Sequence, residues 1–147
     1  MKKEYIEEVL KEARKAYDIG EVPVGAIIIK DDRIIATAHN TKERDKNPLK
    51  HAELIAIEKA CKEIGNWRLD GCKLIVTLQP CPMCASAIKQ ARIDEVEYFV
   101  KIDNLEVRKT VNKLLKTTDN NKKLLCKKCK NLEYENMWKS FFEKMRK

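Results

Sequence analysis

"HAELIAIEKAC" spans residues 51–61 and "TLQPCPMCASAI" spans residues 77–88. One of only 2 histidines in the chain stands directly before Ala-Glu, and a Cys-x-x-Cys follows about thirty residues later. Cys81-Pro82-Met83-Cys84 lies at the mouth of an expected helix. There two thiolates three apart share one side of the first turn and can both reach one ion. The partial positive charge at a helix N-terminus lowers the cost of ionised sulfur. This motif alone fits a redox pair or half of a structural zinc site equally well. His51, at the start of a second expected helix, adds a nitrogen ligand. Two Cys and one His leave the fourth position of tetrahedral zinc open, as catalytic sites do, whereas structural sites are closed by four ligands. Closure by Cys61, Cys72, Cys126 or Cys129 is the structural alternative, which spacing leaves open.

Glu53 fits the catalytic version. A zinc ion that acidifies water needs a nearby group to take up the proton and hand it on, and a carboxylate suits that task. On a regular helix His51 and Glu53 diverge by about 200°. Both serve one ion only if the helix aims its first turn end-on at the site. An acid at a helix start is also common as a plain complement to the helix dipole.

The rest of the chain sets the class. At 147 residues, 44% hydrophobic and 37% charged, it is expected to be one globular domain over 1–147. No apolar run approaches the roughly 20 residues of a membrane span. The opening "MKKEYIEEVLKEARKAYDIG" carries acids and no apolar signal core, so a cytoplasmic location is expected. The 6 cysteines are then thiols or ligands rather than a disulfide framework. The charge is uneven. Residues 1–100 hold 17 Lys+Arg and 17 Asp+Glu, while residues 101–147 hold 14 and 6, which is the whole excess of +8. A basic end on a neutral body suggests a polyanionic partner; a solvated lysine surface is the plainer reading.

Periodicity gives the elements. Tyr5, Ile6, Val9, Leu10, Ala13, Ala16 and Tyr17 form one helical face that Gly20 ends. "VPVGAIIIKDDRIIATAHN" is a hairpin turning at Asp31-Asp32. After the polar loop "TKERDKNPLK", a helix from near His51 turns Ala52, Ile55, Ala56, Lys59 and Ala60 inward and stops at Gly65. "CKLIVTL" and "EVEYFV" are strands flanking a helix over residues 82–90. "NLEVRKTVNKLLKTTDNNKK" is a modest helix followed by a polar turn. Tyr134, Met137, Trp138, Phe141, Phe142 and Met145 recur at helical spacing and are read as core. Cys61 and Cys72 are read as small buried residues, His39 as a structural histidine, and Cys126 with Cys129 as a surface thiol pair. Helices are expected on both sheet faces.

His51, Glu53, Pro80, Cys81 and Cys84 together make H-x-E followed by P-C-x-x-C, the signature of zinc-dependent nucleobase deaminases. The sequence resembles the bacterial tRNA-specific adenosine deaminase branch of the cytidine deaminase-like superfamily. The likeness runs from "EVPVGAIIIKDDRIIATAHN" through "NPLKHAELIAIEKACKEIGNWRLDGCKLIVTLQPCPMCASAI" to "ARIDEVEYFV", and returns in "MWKSFFEKMRK". It implies an α/β three-layer sandwich with a mixed five-stranded sheet between helices, a homodimer, and one Zn2+ per subunit. It also implies conversion of the wobble adenosine to inosine in a tRNA anticodon stem-loop. His51, Cys81 and Cys84 would bind the metal and Glu53 would shuttle protons. Asn40 would contact a flipped nucleoside, and Pro23, Val24 and Gly25 would line the base pocket. Ala52 and Pro80 would belong to the same substrate site, with a backbone N–H of Ala52 or Cys81 toward the base or the zinc-bound oxygen.

Two places depart from the family pattern. Gln79 stands where the family usually has Glu, and the glycine-free "KIDNLEVRKT" replaces a stretch rich in Gly, Ala and Ser. Lys101, Arg108, Lys109 and Lys113 are then candidates for phosphate contacts. The same zinc spacing also suits a deaminase of free guanine, cytosine or cytidine. A further class is an RNA-binding protein in which zinc only stabilises the fold.

Overall fold

The structure, a computed structural model, describes residues 1–116 and 124–146. Its centre is a five-stranded sheet ordered β2-β1-β3-β4-β5. The strands are β1 (Gly25–Lys30), β2 (Arg33–His39), β3 (Cys72–Leu78), β4 (Glu95–Val100) and β5 (Leu125–Lys128). β1 pairs antiparallel with β2 and with β3, whereas β3–β4 and β4–β5 are parallel. The mixed sheet follows from the connections. Asp31 and Asp32 adopt φ of 51° and 63°, the left-handed pair that lets a two-residue turn close a hairpin. The later strands are joined through helices, as parallel pairing requires.

Alternation along the strands separates two cores. Ala26, Ile28, Leu74, Val76 and Val96 face α2 (Ala52–Ile64), α3 (Pro82–Gln90) and α4 (Leu105–Lys116). Ile27, Ile29, Ile75 and Phe99 face α1 (Lys3–Asp18) and α5 (Leu132–Met145). This is the expected three-layer sandwich. α1 lies unusually close to β1: a Cβ on Gly25 would sit 2.4 Å from the Val9 carbonyl oxygen and 2.5 Å from the Ala13 nitrogen. No larger residue fits there without moving the helix.

Several expectations are corrected. Lys59 is not on the buried side of α2; it is exposed and its Nζ donates to the Thr37 carbonyl at 2.9 Å. Cys61, Ile6 and Tyr17 are half-buried, whereas Cys72 is buried as expected. The fifth strand is "LCKK", exposed along its whole length. Its four residues carry no alternation, so only pairing with β4 makes it a strand. The polar turn expected over "TTDNNKK" lies outside the described residues. The α5 stripe divides. Tyr134, Met137 and Phe141 are buried, Trp138 is half-buried, and Phe142 and Met145 are 36% and 67% exposed.

Candidate active site

The site forms where the carboxyl ends of parallel β3 and β4 meet the amino ends of α2 and α3, the usual crevice of such sheets. His51 has extended backbone (φ −85°, ψ 146°) and caps α2, which begins at Ala52. Cys81 (φ −72°, ψ 171°) caps α3, with Pro82 as its first helical residue. His51 therefore stands outside the regular helix, and the 200° divergence from Glu53 does not arise. Both helices point their positive ends at the same spot.

The His51 Nδ1 lies 3.5 Å from Cys84 Sγ and 3.8 Å from Cys81 Sγ, and the ligand atoms of all three residues fall within 4.8 Å of one another. Zinc bonds of about 2.3 Å to sulfur and about 2.0 Å to nitrogen place tetrahedral ligands roughly 3.5 Å apart. The residues present therefore fit one zinc ion. Among the described residues no fourth His, Cys, Asp or Glu joins the group, so the closed structural arrangement has no side chain to complete it.

The electrostatics agree. The hydrogen bond from Cys84, followed by that with His51, brings the Cys81 thiol down to about 4 despite its burial. Cys84 is displaced strongly upward by sharing that hydrogen bond, by burial, and by the charges of Glu53 and Cys81. One sulfur ionises at the expense of the other. A divalent cation lets both ionise. Glu53 is 4% exposed, and burial raises its carboxyl to about 7, with Cys81 adding to the rise and His51 opposing it.

A cavity of about 460 Å³ opens over these groups and is lined by Val24, Asn40, His51, Glu53 and Cys81 together with residues from loops and α5. Its size suits a small ligand or a single nucleoside. Asn40 reaches the cavity while its Oδ1 accepts the Ala52 N–H at 2.8 Å. That bond commits the Ala52 N–H to the start of α2, and Ala52 itself is fully buried. Gly25 and Pro80, placed in the base pocket by resemblance, are buried away from the lining. Gly25 faces α1, where the helix backbone is the close approach it permits. His39 is structural: its Nδ1 lies 3.2 Å from the buried Glu12 carboxylate.

Sequence reasoning missed other parts of the wall. Glu21, buried, accepts the N–H groups of Glu43 and Arg44 at 3.0 and 2.8 Å and so folds the 41–50 loop against the cavity. Phe141, Phe142 and Met145 form its outer apolar side. The signal was present in the sequence: 134, 137 and 141 lie on one helical line and 138, 142 and 145 on the next, which is too wide for one buried seam. Cys126 and Cys129 take no part. Cys126 is exposed, and the Cys129 thiol donates to Glu97 Oε2 at 3.1 Å.

Residues 1–100 match the family model for the cytidine and deoxycytidylate deaminase zinc-binding region. The tRNA-specific adenosine deaminase of Bacillus subtilis (strain 168) is 48% identical over 94 residues, covering 64% of this chain and 58% of that protein. The match therefore spans little more than half the length of that relative. A solved structure from studies of A-to-I editing by tRNA:A34 deaminases at the wobble position of transfer RNA superposes with a TM-score of 0.77 at 31% identity, covering 95% of this chain and 99% of that one. Guanine deaminase from Bacillus subtilis superposes with a TM-score of 0.66 at 28% identity, covering 97% and 95%. No helix among the described residues is long and apolar enough to cross a membrane.

Proposed function

The chain belongs to the cytidine and deoxycytidylate deaminase zinc-binding family, and on that premise we propose that it hydrolyses the wobble adenosine of a tRNA anticodon to inosine. The observation that carries the reading is a buried Glu53 carboxyl beside a three-ligand group on the floor of one nucleoside-sized cavity. A purely structural metal site has no use for such a carboxyl.

His51, Cys81 and Cys84 would hold the metal. Zinc bound there supplies Lewis acidity that makes water a nucleophile near neutral pH. Glu53, with its carboxyl near neutrality, takes a proton from water and gives one to the ring nitrogen beside C6. A second transfer from Glu53 lets the amine leave as ammonia. One water enters, one ammonia departs, and inosine remains. Asn40 and Val24 contact the nucleoside, while the buried walls keep bulk water from the carboxyl. An anticodon-loop base is already unpaired, so little duplex energy opposes its capture. The exposed basic residues of α4 and the net charge of residues 101–147 favour a polyanionic substrate.

The reading extends to a single deaminase domain over 1–147 that works in the cytoplasm as a homodimer. Exposed Leu49 and Met83 near the amino ends of α2 and α3 support a partner copy beside the site. The second reading, deamination of a free base, is favoured by the likeness to guanine deaminase. Turnover of an anticodon stem-loop carrying wobble adenosine, run against free guanine, cytosine and cytidine, separates the two. Ammonia from the free bases alone would reverse the assignment.

A further inference from the structure

Gln79 stands one residue before Pro80 and two before Cys81, and it is 2% exposed. Its backbone N–H donates to the Val100 carbonyl at 2.8 Å. Its side-chain Oε1 accepts the Ile102 N–H at 3.0 Å, and its Nε2 points at Asn112 Oδ1 at 3.5 Å. The Ile102 N–H can only donate, so the carboxamide oxygen must face it and the NH2 must turn toward Asn112. Three attachments thus run from the strand end that carries Cys81 to the segment 100–112. That segment supplies Ile102 and Val107 to the cavity wall, which Gln79 itself also borders although its side-chain polar atoms are turned to Ile102 and Asn112. α4 itself is anchored further along, by Val111 and Leu115 in the core. Asn104 caps the start of α4 by accepting the Val107 N–H at 3.1 Å, which fixes the helix but not its distance from the metal group.

We propose that Gln79 is a positioning residue whose carboxamide, clasped between the Ile102 N–H and Asn112, sets the distance of the Ile102–Val107 wall from the reacting base. Affinity for substrate, rather than the chemical step, then depends on it. The inference rests on the deaminase reading above. A carboxylate at this place keeps the bond to Ile102 but cannot donate to Asn112; it can only accept from that side chain once the Asn112 amide turns its NH2 inward. An apolar side chain of the same length loses both bonds and leaves the Ile102 N–H unpaired.

The test uses the zinc-loaded protein with Gln79→Met, Gln79→Glu and the exposed-site variant Asn112→Ala. Gln79→Met should raise KM about fivefold to tenfold, the size of one or two neutral hydrogen bonds, with kcat within about twofold and zinc content unchanged. Stem-loop Kd, measured in a Glu53→Ala background that cannot turn over, should rise by the same factor. Amide exchange at Ile102 should speed up in Gln79→Met. Gln79→Glu should restore both the protection and most of the affinity, and Asn112→Ala should shift KM by about twofold. The proposal is overturned if Gln79→Met leaves KM and Kd unchanged, if it lowers kcat alone, or if it sheds zinc. If the wild type acts only on free bases, the tRNA reading fails separately, and the same KM comparison on that base, with Ile102 exchange, still decides the role of Gln79.

Discussion

Residues 1–100 and residues 101–146 are built on opposite terms. The first part is charge-neutral and places its site on the amino ends of two helices whose inner faces are alanine-rich. The second, counted to residue 147, carries the whole net positive charge; it adds a four-residue edge strand with no buried position and meets the site only through a wall. Close packing dictates the strands and the inner helix faces of the first. The second is held by the Val111 and Leu115 face of α4, a few polar joints and one aromatic helix. On the proposed reading the metal group and one side of the cavity, with Val24 and Asn40, belong to the first part, and Ile102, Val107 and the α5 residues of the second close its other side.

The division can be broken most sharply at the metal. Cys81→Ala should abolish zinc binding and activity together, and chelation of the wild type should do the same. Metal analysis and ammonia release on one preparation check it, and full activity in a zinc-free variant would end the catalytic account. Glu53→Ala comes next. It should retain zinc while slowing deamination by about 10²- to 10⁴-fold, the usual weight of a general acid–base. The joint between the two parts ranks third. Buried Glu97 on β4 pairs with Lys73 on β3 and with Lys127 on β5 at 3.5 Å, and it accepts the Cys129 thiol. Burial pushes its carboxyl up, but the hydrogen bonds from Lys73 and Cys129 outweigh that and hold it below the ordinary 4.5. Its contribution to stability is therefore present above that value and is lost as pH falls through the lower, folded value. Glu97→Gln should cost about 2 kcal/mol at pH 7, and the gap should close on acidification in denaturant titrations.

Smaller effects should sharpen the comparison. Lys109→Gln with Lys116→Gln, both exposed on α4, should weaken tRNA binding a few-fold. The pair should also flatten its log–log salt dependence by about 0.7 to 0.9 for each phosphate no longer neutralised, while zinc content stays constant. An unchanged salt slope would remove α4 from the RNA surface. Cys126→Ala on exposed β5 should move stability by less than about 0.5 kcal/mol, as thermal unfolding can verify.

The same contrast explains what could be read in advance. The Asp31-Asp32 turn, the left-handed Gly65 that ends α2 at φ 69°, and the H-x-E and P-C-x-x-C motifs are each local in sequence, so spacing reveals them. Strand β5 is not local, because "LCKK" becomes a strand only by bonding to β4. Glu21 reads as ordinary loop polarity in the sequence, since the two backbone N–H groups its carboxylate gathers lie at residues 43 and 44. Gly25 was placed at the base pocket by resemblance, whereas the surface pressing on it is α1. The outer half of the α5 stripe was legible in its spacing, but aromatic residues serve a core and a cavity rim equally well, so composition did not say which.

Met145, close to the end of α5, forms part of the cavity rim. A bulky group attached to this end of α5 would therefore emerge beside the opening through which the proposed RNA substrate would enter. Material labelled at that end should show a higher KM than material labelled ahead of α1, and kinetic constants taken from it would understate how tightly the enzyme grips its substrate.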